Sequence, residues 1–226
     1  MAGGAAVAAV AGATWWLLEL PATFVLGSVA IYGGLAGVVL GTLPPSLPGP
    51  GLGPANRITL FRAGLVLPLA ALVLHPHALD AAVRWWVVGV GTAIMVLDGF
   101  DGWIARRTGT ESDFGARFDM ETDAFLMLVL AALVWVEGRA GAWVLLIGAM
   151  RYLFVAAGWV VRHLRQPLFP SFRRKVVCVV QGIGLLVALG PIIPGDVAVA
   201  AAAVALASLV WSFGVDTVWL LTRGTA

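Results

Sequence analysis

Residues 85–136 read WWVVGVGTAIMVLDGFDGWIARRTGTESDFGARFDMETDAFLMLVLAALVWV, two apolar runs with a charged block between them. Neither run, Trp85 to Leu97 or Ala124 to Val136, contains a charged residue. Each is short for a bilayer crossing, which takes about 20 mostly apolar residues. The adjoining residues are polar but helix-compatible, so both helices are expected to continue into the block. On such helices the i,i+3 pair Asp98 and Asp101 shares one face, and the i,i+4 pair Asp119 and Asp123 shares another. Two carboxylate faces turned toward each other form an oxygen-lined cage.

The surrounding sequence sets the solvent. Of 226 residues, 61% are hydrophobic and 12% charged, whereas soluble domains carry about 25% charged residues. Further apolar spans run roughly Ile58 to Leu74, Ala142 to Val161, Val176 to Leu189 and Val197 to Leu221. With the two quoted runs they make six. Ahead of them lie an Ala-rich stretch, Gly4 to Leu18, and a longer one, Ala22 to Leu43, separated by Glu19 and Pro21, a charge and a helix breaker. The Pro/Gly-rich segment TLPPSLPGPGLGP, Thr42 to Pro54, cannot continue a helix. The expected fold is all-α, a polytopic membrane helix bundle with a six-helix core and one or two N-terminal helices. Its expected divisions are hydrophobic helices over 1–43, a linker over 44–55 and the core over 56–226.

Charge gives the orientation. Arg57 and Arg62, then Arg106, Arg107 and Arg117, then Arg162, Arg165, Arg173, Arg174 and Lys175 fall on one side of a six-span arrangement, with Arg84 and Arg139 opposite. By the positive-inside rule the arginine-rich side, which holds the aspartate block, faces the cytoplasm. The basic balance reflects clustered arginine rather than a polybasic tail, and no nucleic-acid partner is implied. Cys178 is the one cysteine, so the chain has no internal disulfide, and no Cys/His spacing suits zinc. His75, His77 and His163 sit in or beside expected loops and read as solvated side chains.

Four carboxylates at a membrane edge repel one another, and a charged residue at a helix centre costs about 2.5 to 3.5 kcal/mol on insertion scales. A cation must hold them. All-oxygen ligation suits Mg²⁺, Mn²⁺ or Ca²⁺, and Mg²⁺ is commonly shared between carboxylates and substrate phosphates. Gly102 lets a bulky ligand approach the helix backbone, and Arg106, about one turn on, places a guanidinium fork over the same spot. Arg151 lies near the middle of its span, where an ionisable side chain faces a cavity or a partner.

The pattern D-x-x-D-G-x-x-A-R-x8-G-x-x-x-D-x-x-x-D, carried by Asp98, Asp101, Gly102, Ala105, Arg106, Gly115, Asp119 and Asp123, resembles the signature of the CDP-alcohol phosphatidyltransferases. The resemblance covers roughly Asn56 to Leu221. It implies a six-helix core around a polar cavity open to the cytoplasm, and transfer of a phosphatidyl group from a CDP-linked lipid to a small alcohol with release of CMP. It also implies Mg²⁺ or Mn²⁺, as two ions, held by Asp98, Asp101, Asp119 and Asp123, with Asp123 a ligand or the base that takes the acceptor's proton. Gly102, Arg106 and Gly115 resemble CDP-binding positions. Asn56, Thr59 and Arg62 resemble an N-x-x-T-x-x-R entry to the first core helix, whose polar side chains point back toward the headgroup site, and Asn56 and Thr59 are grouped with the CDP-binding positions. Arg173, Arg174 and Lys175 resemble a basic segment that binds a phosphorylated acceptor; Arg62 and Arg151 are grouped with it. Cys178 stands where many members have Thr. Dimers are common in the family, so a homodimer is part of the expectation.

Two other readings use the same residues. One reverses the substrates, moving a phosphoalcohol from a soluble CDP conjugate onto a lipid hydroxyl. The other is a cation transporter, which a single acidic cluster at one edge, without broken-helix pairs at the midplane, does not favour.

Overall fold

A computed structural model of the chain describes residues 10, 12–16, 18–42, 54–108, 113–166, 168–169 and 171–223. The Pro/Gly-rich linker lies almost wholly outside them, as does most of the first Ala-rich stretch. Every regular element among the described residues is helical. The long helices are α1 (Ala22–Thr42), α2 (Pro54–Val73), α3 (Ala81–Thr108), α4 (Asp113–Val136), α5 (Leu145–Val160), α6 (Phe172–Leu189) and α7 (Gly195–Arg223), with short 3-10 turns at Pro76–Ala78, Ala142–Val144 and Arg162–Arg165.

The all-α membrane bundle expected from the sequence is what forms. Among the described residues, four helical segments, Asn56–Val73, Ala81–Phe100, Ala142–Val160 and Gly195–Thr222, are long and apolar enough to cross a bilayer. The other two core helices carry charge at one end: α4 opens with Asp113, Arg117, Asp119, Glu121 and Asp123, and α6 with Arg173, Arg174 and Lys175. Helix α3 has 28 residues, about 42 Å at 1.5 Å per residue, against a hydrocarbon core of about 30 Å. Its charged C-terminal third can therefore project past the apolar layer.

The chain forms two compact units, Met1–Val129 and Leu130–Ala226, and α4 runs from the first into the second. In the first unit, α2 packs on both α1 and α3. Val66, Leu67, Leu69 and Leu72 of α2 are fully buried, as are Val87 and Ile94 of α3. Pro68 lies inside α2 without ending it, as membrane helices tolerate when neighbours shield the freed backbone group. Asp80 caps α3, its Oδ1 accepting the Val83 N–H at 2.8 Å, a contact worth about 1 kcal/mol. Helix α1 begins directly after Pro21, and Glu19 before it adopts a left-handed φ of 50°. It is tied to the turn that follows α2 by a hydrogen bond between Thr23 Oγ1 and His75 Nε2 at 2.9 Å, with Phe24 edge-on to the imidazole. His75, expected to be solvated, is a docking side chain.

The second unit is built on the α6–α7 pair. Ala188 on α6 and Ala198, Ala202 and Ala205 on α7 are buried, and a Cβ on Gly184 would lie 3.0 Å from both the Ala201 carbonyl oxygen and the Ala205 Cβ. Small residues let the two backbones approach, as in membrane helix pairs generally. At the C-terminus of α6 the Arg139 guanidinium donates to the carbonyls of Ala188 (3.0 Å), Gly190 (3.3 Å) and Ile193 (2.5 Å). A cation there satisfies orphan carbonyls and opposes the negative end of the helix dipole. Arg165 does the same for α5, donating to Gly158 and Trp159.

Candidate metal and phosphate site

Helix α3 continues without a break from its apolar run through Asp98, Asp101, Gly102 and Arg106, and α4 starts early enough to carry Gly115, Asp119 and Asp123. Both aspartate pairs are thus helical, as the spacing predicts. Carboxylate oxygens of Asp98, Asp119 and Asp123 lie within 4.8 Å of one another. The side chains of residues 101–106 lie outside the described part, so Asp101 and Arg106 are placed by backbone alone.

Beneath this cluster is Arg62 of α2, fully buried. Its Nη1 meets Asp119 Oδ1 at 2.7 Å, and its Nη2 meets Asp98 Oδ1 at 2.8 Å and Asp123 Oδ1 at 2.5 Å. Its Nε donates to the Ile94 carbonyl oxygen at 3.2 Å. The guanidinium fork, with its rigid set of donors, thus draws two helices' carboxylates to one point. The carboxylates keep an open side: the Asp98 and Asp119 side chains are 39% and 38% exposed, and that of Asp123 is 24% exposed.

A model of CDP-alcohol phosphatidyltransferases matches residues 53–213, a stretch that contains both halves of the aspartate motif. The chain belongs to the CDP-alcohol phosphatidyltransferase family. No curated protein and no solved structure gives a significant match. Members of the family transfer a phosphoalcohol or phosphatidyl group from a CDP-alcohol to an alcohol, release CMP and typically depend on a divalent metal.

In this member of the family the donor set suits such an ion. All three described donors are carboxylates, the hard ligands that Mg²⁺ and Mn²⁺ prefer. Opposite oxygens around Mg²⁺ lie about 4.2 Å apart at about 2.1 Å per bond, a spacing open to oxygens that all lie within 4.8 Å of one another. These three carboxylates and Arg62 leave a net formal charge of −2 at the cluster, which divalent metal would neutralise.

The remaining expected residues fall as follows. Thr59 is buried and Asn56 half-buried on the first turns of α2, on the same helix as Arg62; Gly115 lies one turn before Asp119 on α4. The Arg62 guanidinium, expected to meet the acceptor, is engaged by the carboxylates. Arg151 is half-buried within α5 and Lys175 is exposed on α6. Arg173 and Arg174 both contact Asp216 of α7: Arg173 Nη2 at 2.5 Å and Arg174 Nη1 at 3.2 Å. Arg173 also donates to Ser212 Oγ and its carbonyl and lies over the Trp211 ring, while Arg174 donates to the Phe169 carbonyl oxygen.

Asp216 is the residue that sequence reasoning missed. It is 3% exposed and sits within an apolar helix, where an ionised carboxylate requires a partner. That requirement was the available signal.

Proposed function

We propose that the chain transfers a phosphatidyl group from CDP-diacylglycerol to a small, phosphorylated alcohol, releasing CMP, in a reaction that depends on Mg²⁺ or Mn²⁺. The observation that carries the reading is the convergence of Asp98, Asp119 and Asp123, three of the motif's four aspartates, around the buried Arg62. On this reading residues 56–226 are the catalytic core, and residues 1–43 and 44–55 are N-terminal helices and a linker.

Asp98, Asp101, Asp119 and Asp123 would hold the metal, as two ions. Bound there, it supplies positive charge to the pyrophosphate and to the departing CMP. Asp123 accepts the proton of the acceptor hydroxyl as that oxygen bonds to the lipid-bearing phosphorus and the bond to the CMP oxygen breaks. Gly102 and Gly115 offer close backbone approach to the nucleotide, Arg106 grips its phosphate, and Asn56 and Thr59 line the same pocket. No covalent enzyme intermediate is required.

Arg151, Arg173, Arg174 and Lys175 are assigned to the acceptor. Two arginines sharing the single charge of Asp216 keep a net positive charge, which supports an anionic acceptor. The arginine distribution supports a site facing the cytoplasm, and a homodimer in the membrane belongs to the same reading. The test is acceptor-dependent CMP release by purified protein, with the acceptor panel including phosphorylated and unphosphorylated alcohols. Release only with an unphosphorylated alcohol would remove the phosphate-binding role of the basic segment.

A further inference from the structure

We propose that Arg62 is a positioning residue, the internal counter-cation that assembles the aspartate cage before any metal arrives. The proposal rests on the metal reading of the same site and adds to it a division of labour between a resident charge and an exchangeable one.

Three carboxylates converging at the edge of an apolar layer repel one another, so in the metal-free protein they would splay unless a cation stays among them. Arg62 meets the requirement geometrically. Its guanidinium is fully buried, reaches all three carboxylates between 2.5 and 2.8 Å, and is anchored from the far side by the Ile94 carbonyl oxygen. It approaches from the protein interior while Asp98, Asp119 and Asp123 keep accessible surface. A metal can therefore enter from the open side with Arg62 still in place. A guanidinium suits the task better than an ammonium, because three carboxylates on two helices need a planar fork with several donors rather than a point charge. The consequence is a cage that is formed before the ion binds.

The test is a thermal-melting series in detergent on wild type, Arg62→Gln and Arg62→Gln/Asp123→Asn, each in EDTA and in saturating Mn²⁺. In EDTA, Arg62→Gln is expected to melt about 5 °C or more below wild type. The second change, which removes one repelling charge, is expected to recover at least half of that loss. Mn²⁺ is expected to raise the melting temperature of Arg62→Gln by at least twice as much as that of wild type, since the ion then replaces the missing charge. Arg62→Lys, which keeps charge but not the fork, is expected to fall between the two. A loss that neither Asp123→Asn nor Mn²⁺ reduces would overturn the proposal and make Arg62 a packing residue. If Arg62→Gln yields no folded protein, the double variant decides: its recovery supports the proposal and its failure overturns it. The EDTA arm is independent of metal binding, so an absence of any Mn²⁺ effect on wild type would count against the metal reading and leave the counter-cation to be judged on the double variant.

Discussion

Arg62 and Asp119, 57 residues apart in the chain, meet at 2.7 Å. That contact joins α2 to α4, and with the Asp98 contact it makes one guanidinium the meeting point of three helices of the first unit. The catalytic account depends on it, because a carboxylate cage is useful only if its members arrive at one place with their charge controlled.

Removing divalent metal should abolish CMP release and leave a folded protein, since Arg62 holds the carboxylates together in its absence. EDTA treatment followed by circular dichroism and an activity assay reads both. Activity should return with Mg²⁺ or Mn²⁺. Full activity in EDTA would contradict a metal role for the aspartates.

Asp216→Ala should destabilise the second unit. It strands Arg173 and Arg174 on α6 without the carboxylate that faces them, and breaking a buried ion pair costs about 3–5 kcal/mol. The lower end is expected, because the Arg174 side chain is 30% exposed. A lower melting temperature in detergent, together with a higher KM for a phosphorylated acceptor, is the expected pair of results. A change in melting temperature alone would restrict Asp216 to structure.

Gly184→Val should separate α6 from α7. The Cβ alone would sit 3.0 Å from the Ala201 carbonyl oxygen and the Ala205 Cβ, and overpacking of this kind costs about 1–3 kcal/mol. Gly195→Val is the control, because a Cβ there meets nothing within 4 Å. Comparable melting temperatures for the two variants would argue against close α6–α7 packing.

The sequence made local relations legible and left distant ones open, for a physical reason. Helical period and apolar length are properties of neighbouring residues, so the placement of Asp98 and Asp101 on α3 and of Asp119 and Asp123 on α4 could be read directly, as could the break at Pro21. Which charge neutralises which is a property of tertiary packing. Arg62 stood out as one polar position at the start of a helix, but nothing in its neighbourhood pointed to carboxylates 36, 57 and 61 residues away. Asp216 demanded a partner by being an acid in an apolar run, yet the sequence does not say that Arg173 and Arg174 supply it from 43 and 42 residues away. His75 likewise looked like a loop side chain until α1 was seen to dock on it.

The most direct test of the central claim is CMP release from CDP-diacylglycerol by the purified protein in Mg²⁺ with a panel of small alcohols, beside Asp123→Asn. The account predicts acceptor-dependent release that falls by about 10²-fold or more in the variant, the usual scale for losing a general base. Folded wild-type protein that releases no CMP with any acceptor, or an Asp123→Asn variant as active as wild type, would contradict it.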